Sequence, residues 1–149
     1  MKTLYILPLL SLILFQACNS RLFDSTEEKL VGKWRVEKVT IYEGFVSFGN
    51  DITDQYSDLE LIFTANQNLQ WNRDPAAVSY SGLYTVDKDS YVDHEGYTSY
   101  QEELHVFLES TTGETMAQEW AQLNVTGKKL TFSYKDDGGD RYRFRFRKL

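Results

Sequence analysis

The run Arg141-Tyr142-Arg143-Phe144-Arg145-Phe146-Arg147 decides the fold class. Aromatic residues take every second position and arginines take the positions between them, without exception. Successive side chains of a strand point to opposite faces, so this run buries one face and wets the other only as β-structure. Immediately upstream, Leu130, Phe132 and Tyr134 alternate with Lys129, Thr131 and Ser133. Between the two runs lies Asp136-Asp137-Gly138-Gly139-Asp140, a composition suited to a tight turn. The chain therefore closes on an antiparallel hairpin.

Working outward, a second hairpin is expected to join residues 119–125 to 128–134 through Thr126-Gly127. Period-2 alternation marks further strands over residues 33–42, 58–64, 68–72, 78–86 and 103–109. Asn66-Gln67 suits a tight turn and Asp74-Pro75 a sharper break. Met116, Trp120 and Leu123 lie at helical spacing, but the segment runs into a hairpin, which favours a strand near Trp120 with a short helical turn open at its start. Residues 44–55 and 90–101 read as two long loops. About eight short strands with almost no helix predict an all-β antiparallel sandwich or barrel. The inward set would be Trp34, Leu61, Phe63, Trp71, Tyr80, Tyr84, Leu104, Val106, Leu108, Leu130, Phe132, Tyr134, Tyr142, Phe144 and Phe146. Most are large, so the interior should be filled apart from a modest, semi-polar cavity at the open end near Gly82.

The 149 residues fit one domain, with 42% hydrophobic, 26% charged and 15% aromatic residues. That is too apolar for a disordered chain. One Cys and two His exclude a disulfide scaffold and any zinc site built mainly from those residues. The net charge of −6 argues against a nucleic-acid partner.

The N-terminus reads as a secretion signal. Lys2 precedes an apolar stretch from Leu4 to Phe15, and Ala17 stands before Cys18, the sole cysteine. Leu14-Phe15-Gln16-Ala17-Cys18 resembles the lipobox of bacterial lipoproteins in its relaxed Bacteroidetes form. The resemblance implies cleavage before Cys18, a diacylglycerol thioether on its sulfur and acylation of the new amino group. Residues 1–17 would then be a signal peptide, 18–29 a lipidated polar tether and 30–149 the folded domain. The mature chain would carry 15 basic and 22 acidic residues.

Gly32-Lys33-Trp34 opens the first strand and resembles the lipocalin G-x-W motif, in which the indole plugs one end of the barrel. Leu61-Ile62-Phe63 before a turn, Gly82-Leu83-Tyr84, Trp120 before Leu130-Thr131-Phe132, and the alternating last strand are similar to the lipocalin-like domains of small Bacteroidetes lipoproteins. The likeness covers residues 30–149 and implies a lipocalin-like barrel. It also implies an arginine covering the plug tryptophan, for which Arg143, Arg145 and Arg147 all compete.

Candidate sites are few. Gly82, Tyr84, Tyr91, Tyr97 and Tyr100 are candidate ligand or loop contacts, because tyrosines suit recognition surfaces. Residues 43–119 hold 15 acidic residues against Arg73 and Lys88 alone. Closing the barrel would bring Lys33 and Arg35 beside Arg143 and Arg145, with Lys129 and Lys135 adjoining, as a basic face. The acidic run 87–95 lacks the glycine and closing glutamate of an EF-hand and reads as a solvated loop, so no metal site is expected. His94 and His105 lack a marked nucleophile, and a carboxylate pair drawn from Asp93, Glu95, Glu102 and Glu103 has no defined separation. No catalytic residue and no cofactor is expected. The expected function is a lipid-anchored outer-membrane protein of the bacterial envelope, its barrel binding a small semi-polar ligand or glycan without catalysis. The alternative is an accessory lipoprotein with a filled barrel, meeting an envelope protein partner through its loops or basic face.

Overall fold

The computed structural model describes residues 25–44, 48–73, 78–92 and 94–149. Cys18, the signal segment, Asp93 and the Asp74-Pro75 break lie outside them. A short helix α1 (Thr26–Leu30) leads into β1 (Gly32–Tyr42). There follow β2 (Asn50–Asp51), a 3-10 turn (Thr53–Tyr56), β3 (Leu59–Phe63), β4 (Asn68–Arg73) and β5 (Val78–Val92). The chain ends with β6 (Thr98–Ser110), β7 (Thr115–Val125), β8 (Lys129–Lys135) and β9 (Arg141–Lys148).

The fold is a closed antiparallel barrel. Strands β3 to β9 pair in chain order, β3 pairs with β1, and β9 returns to β1 with Val36 opposite Phe146 and Val39 opposite Phe144. Eight strands thus complete the wall. The ninth, β2, takes the edge of β1 beyond the reach of β3, at Thr40 and Ile41. Closure pairs most of the sheet edges that would otherwise recruit other chains.

The closing hairpin follows its alternation: Phe144 and Phe146 are buried, while Arg143, Arg145 and Arg147 are exposed. All fifteen residues expected inward are buried in the core or packed half-buried against it. Phe132 stacks between Trp120 at 4.2 Å and Phe144 at 5.3 Å, so the rings fill the lumen in layers.

Three segments differ from expectation. The stretch from Met116 to Leu123 is strand throughout. Gln122 sits at φ +56° within an irregularity between Ala121 and Asn124, and this shifts the alternation by one residue. Met116, Gln118 and Trp120 point inward before it, Leu123 and Val125 after it, which mimics helical spacing. Residues 90–101 are no long loop. Strands β5 and β6 continue as a paired arm, Ser90 opposite Tyr100 and Val92 opposite Thr98. The arm is wet on both faces, so it lacks the apolar alternation that marks a half-buried strand. Residues 44–55 include β2, and the 3-10 turn follows at Thr53.

The end of the expected tether is built into the domain. Ser25 caps α1, its Oγ accepting from the Glu28 amide while the Glu28 carboxylate accepts from the Ser25 amide at 2.8 Å. Leu30 is fully buried. Its carbonyl accepts a 2.7 Å hydrogen bond from Trp34 Nε1, which fixes the indole across the barrel floor.

The residue covering that indole is Lys148, not one of the three arginines. Its Nζ lies 5.0 Å from the ring centroid and donates to the Lys29 carbonyl at 3.0 Å. The reason is register: Lys148 stands directly opposite Trp34, whereas Arg147 and its alternates face outward. Gly32 makes the contact possible. It has φ +136°, and a Cβ there would meet Lys148 Cε at 2.7 Å. Burial pushes the Lys148 ammonium pKa down.

Candidate functional site: the barrel mouth and its side cleft

At the end opposite Trp34 the wall is incomplete. Strand β7 pairs with β8 only at Ala121–Ser133, Asn124–Thr131 and Val125–Leu130. The stretch from Thr115 to Trp120 pairs with β6 alone, and Tyr134 and Lys135 pair with β9 alone. The irregularity at Gln122 thus separates β7 from β8 toward the mouth. Its side chain accepts from Ser133 Oγ at 3.2 Å, which holds the two strands together where they part.

The gap is a cleft of about 1160 Å³ lined on one side by Met116, Gln118 and Glu119 and on the other by Ser133, Tyr134 and Asp136. It shares Tyr80, Met116, Gln118 and Tyr134 with an inner pocket of about 280 Å³. Trp71 and Phe144 form the pocket's apolar wall, and Tyr56 and Arg73 its rim. The 3-10 turn supplies Tyr56, whose ring meets Phe144 edge-on at 5.4 Å. Arg73 stacks on Tyr56 at 4.6 Å and donates from Nη2 to the Gln55 carbonyl at 2.8 Å. Gln118 accepts from Trp120 Nε1 at 3.0 Å, which orients its amide.

Burial pushes the Tyr134 phenol far above its ordinary pKa and raises those of Tyr142 and Tyr80 as well. Tyr80 donates to Glu114 Oε2 at 3.2 Å. At neutral pH Tyr80 and Tyr134 are therefore O–H donors in a largely aromatic pocket. Flat rings with a few oriented polar groups suit a small semi-polar ligand, and the volume lies near the lower end of the ~300–1,000 Å³ typical of ligand pockets.

The residues expected at this site are elsewhere. Gly82 does not line the pocket; it lets β5 and β6 approach, since a Cβ would fall 2.0 Å from the Phe107 carbonyl oxygen. Tyr84 is buried near the floor, edge-on to Phe63 at 5.1 Å and donating to the Thr64 carbonyl at 3.2 Å. Tyr91, Tyr97 and Tyr100 are exposed on the β5–β6 arm, which projects past the floor rather than the mouth. Lys88 Nζ lies 5.8 Å from the Tyr100 ring.

The basic face is narrower than expected. Glu60 engages Lys33 at 2.6 Å and Arg35 at 2.7 Å, and these cations hold its carboxyl below the ordinary range. Arg143 and Arg145 remain beside Lys38 along a groove of about 160 Å³. Among the described residues neither forms an ion pair.

The carboxylates also sort differently. Glu102 turns toward α1 and accepts from Thr26 Oγ1 at 2.6 Å. Glu103 faces the outer wall with His105 and with Glu119, the residue opposite His105 on β7. One donor atom from each lies within 4.8 Å of the others, and Asp87 Oδ2 is 3.4 Å from His105 Nε2. Partial burial, then the Glu119 and Asp89 carboxylates, push the Glu103 pKa up. His94 stays in the arm's turn, 3.8 Å from Glu95.

Family models, curated proteins and solved structures contain no match to this chain.

Proposed function

We propose that the protein is a lipid-anchored envelope lipoprotein whose barrel is a non-catalytic binding module for a small semi-polar ligand or glycan. The observation that carries the reading is the aromatic pocket at the mouth, reached through the parted β7 and β8. A lumen packed with rings from Trp34 to Phe144 leaves no deep calyx for a long acyl chain, so the ligand is small. The lipobox-like Leu14–Cys18 segment supports attachment to the outer membrane, and α1 and the floor then lie on the anchored side.

Thermal melts of the full chain in detergent, with a panel of mono- and disaccharides and small aryl compounds, test this. Binding raises Tm in proportion to the logarithm of ligand excess. Met116→Trp fills the pocket and should abolish the rise while leaving the unliganded Tm within a few degrees. A rise that persists in Met116→Trp contradicts the site.

The accessory reading is favoured by one observation: Arg143, Arg145 and Arg147 form an exposed row with no ion pair among the described residues. A partner that co-purifies with wild type but not with Arg143→Glu/Arg145→Glu would support it.

A further inference from the structure

Residues 43–119 contain two cations among 15 acids, and one of the two, Arg73, is at the pocket rim. Its guanidinium is held on one face by Tyr56 and at Nη2 by the Gln55 carbonyl. Its orientation is therefore set before any ligand arrives, and among the described residues its other N–H donors make no hydrogen bond. No carboxylate among the described residues pairs with it. An oriented guanidinium with no carboxylate partner among the described residues, beside an aromatic pocket, matches a planar oxyanion, which it can grip with two parallel hydrogen bonds.

We propose that the mouth pocket takes a six-membered ring bearing one carboxylate, with the ring against Trp71 and Tyr80 and the carboxylate on Arg73. The inference rests on the binding-module reading and specifies its ligand. A single negative charge is favoured over a phosphate dianion for two reasons. Among the described residues Arg73 is the only cation lining the inner pocket, and the Glu114 carboxylate is bonded to Tyr80, which lines it too. The surrounding acidic field would repel a second negative charge. The carboxylated ring has two sources, a sugar acid or an aryl acid, which share this chemistry.

Isothermal titration of the full chain in detergent tests it with two matched pairs: glucuronate against glucose, and benzoate against benzamide. At least one acid should bind about tenfold or more tightly than its neutral partner, the effect of one charge-assisted contact. The tighter acid identifies the source. Arg73→Gln should erase the preference, leaving the acid no better than the neutral ring. Arg73→Lys should restore part of it, because a point charge replaces the fork. Equal affinity for acid and neutral rings overturns the inference while the binding module stands, as does a preference that survives in Arg73→Gln. If no ring binds at ~10 mM, both the inference and the binding module fall.

Discussion

Replacing Trp34 tests the floor on which the barrel is built. The indole is wholly buried, bonded to the Leu30 carbonyl at 2.7 Å and covered by Lys148 at 5.0 Å. Truncating a large buried aromatic to Ala costs about 3–5 kcal/mol. The Leu30 carbonyl, left inside without its donor, adds about 1 kcal/mol. The lost cation–π contact adds about 0.5–2 kcal/mol. These losses share the same neighbours and do not sum fully, so Trp34→Ala should cost about 4–6 kcal/mol. Against a usual stability of ~5–15 kcal/mol, that brings the domain close to unfolding. Trp34→Phe keeps a ring but loses the N–H and should cost about 1–3 kcal/mol. Urea titration followed by far-UV circular dichroism reads both. A loss below ~1 kcal/mol for Trp34→Ala would refute the role given to the Gly32–Trp34 floor.

Gly82→Ala should destabilise by about 1–3 kcal/mol, because the new methyl meets the Phe107 backbone rather than a movable side chain; an unchanged Tm contradicts this. For Glu103 the folded pKa lies above the unfolded one, so stability present at low pH is lost as pH rises through the folded pKa. Glu103→Gln removes that loss and should be more stable than wild type at pH 7 by about 0.2–1 kcal/mol, with the gap closing below pH ~4. Urea midpoints at both pH values check it, and equal midpoints at pH 7 count against it. The proposed anchor predicts that Cys18→Ala moves the protein from the membrane to the soluble fraction and ends fatty-acid labelling; continued membrane retention sinks it.

The barrel was legible in the sequence because alternation is a local signal. Arg141 to Arg147 could be read in isolation, and the fifteen inward residues followed from strand phase alone. What was not legible depends on register between distant strands. Lys148 lies beyond the alternating run, and only the β1–β9 pairing places it over Trp34. The mouth pocket depends on Gln122, whose positive φ leaves no mark in composition yet parts β7 from β8. Tyr56 and Arg73 come from a loop and a strand end, where periodicity says nothing about direction. The isolated cation in an acidic stretch was the one available sign of Arg73. Glu103, His105 and Glu119 meet through pairing of β6 and β7, and the β6 register would have revealed it. Gly82 illustrates the opposite error: a small inward residue suggests space, but the opposing backbone occupies it.

The chain has two methionines, Met1 and Met116, and Met116 lines the mouth pocket. Cleavage before Cys18 would leave Met116 as the one methionine of the mature chain, so a spectrum labelled with ¹³C at the methionine methyl group carries a single reporter, inside the proposed site. On titration with glucuronate or benzoate, the Met116 resonance should shift along a single saturating curve. A Met116 resonance that does not move up to ~10 mM ligand would contradict the mouth of the barrel as the binding site.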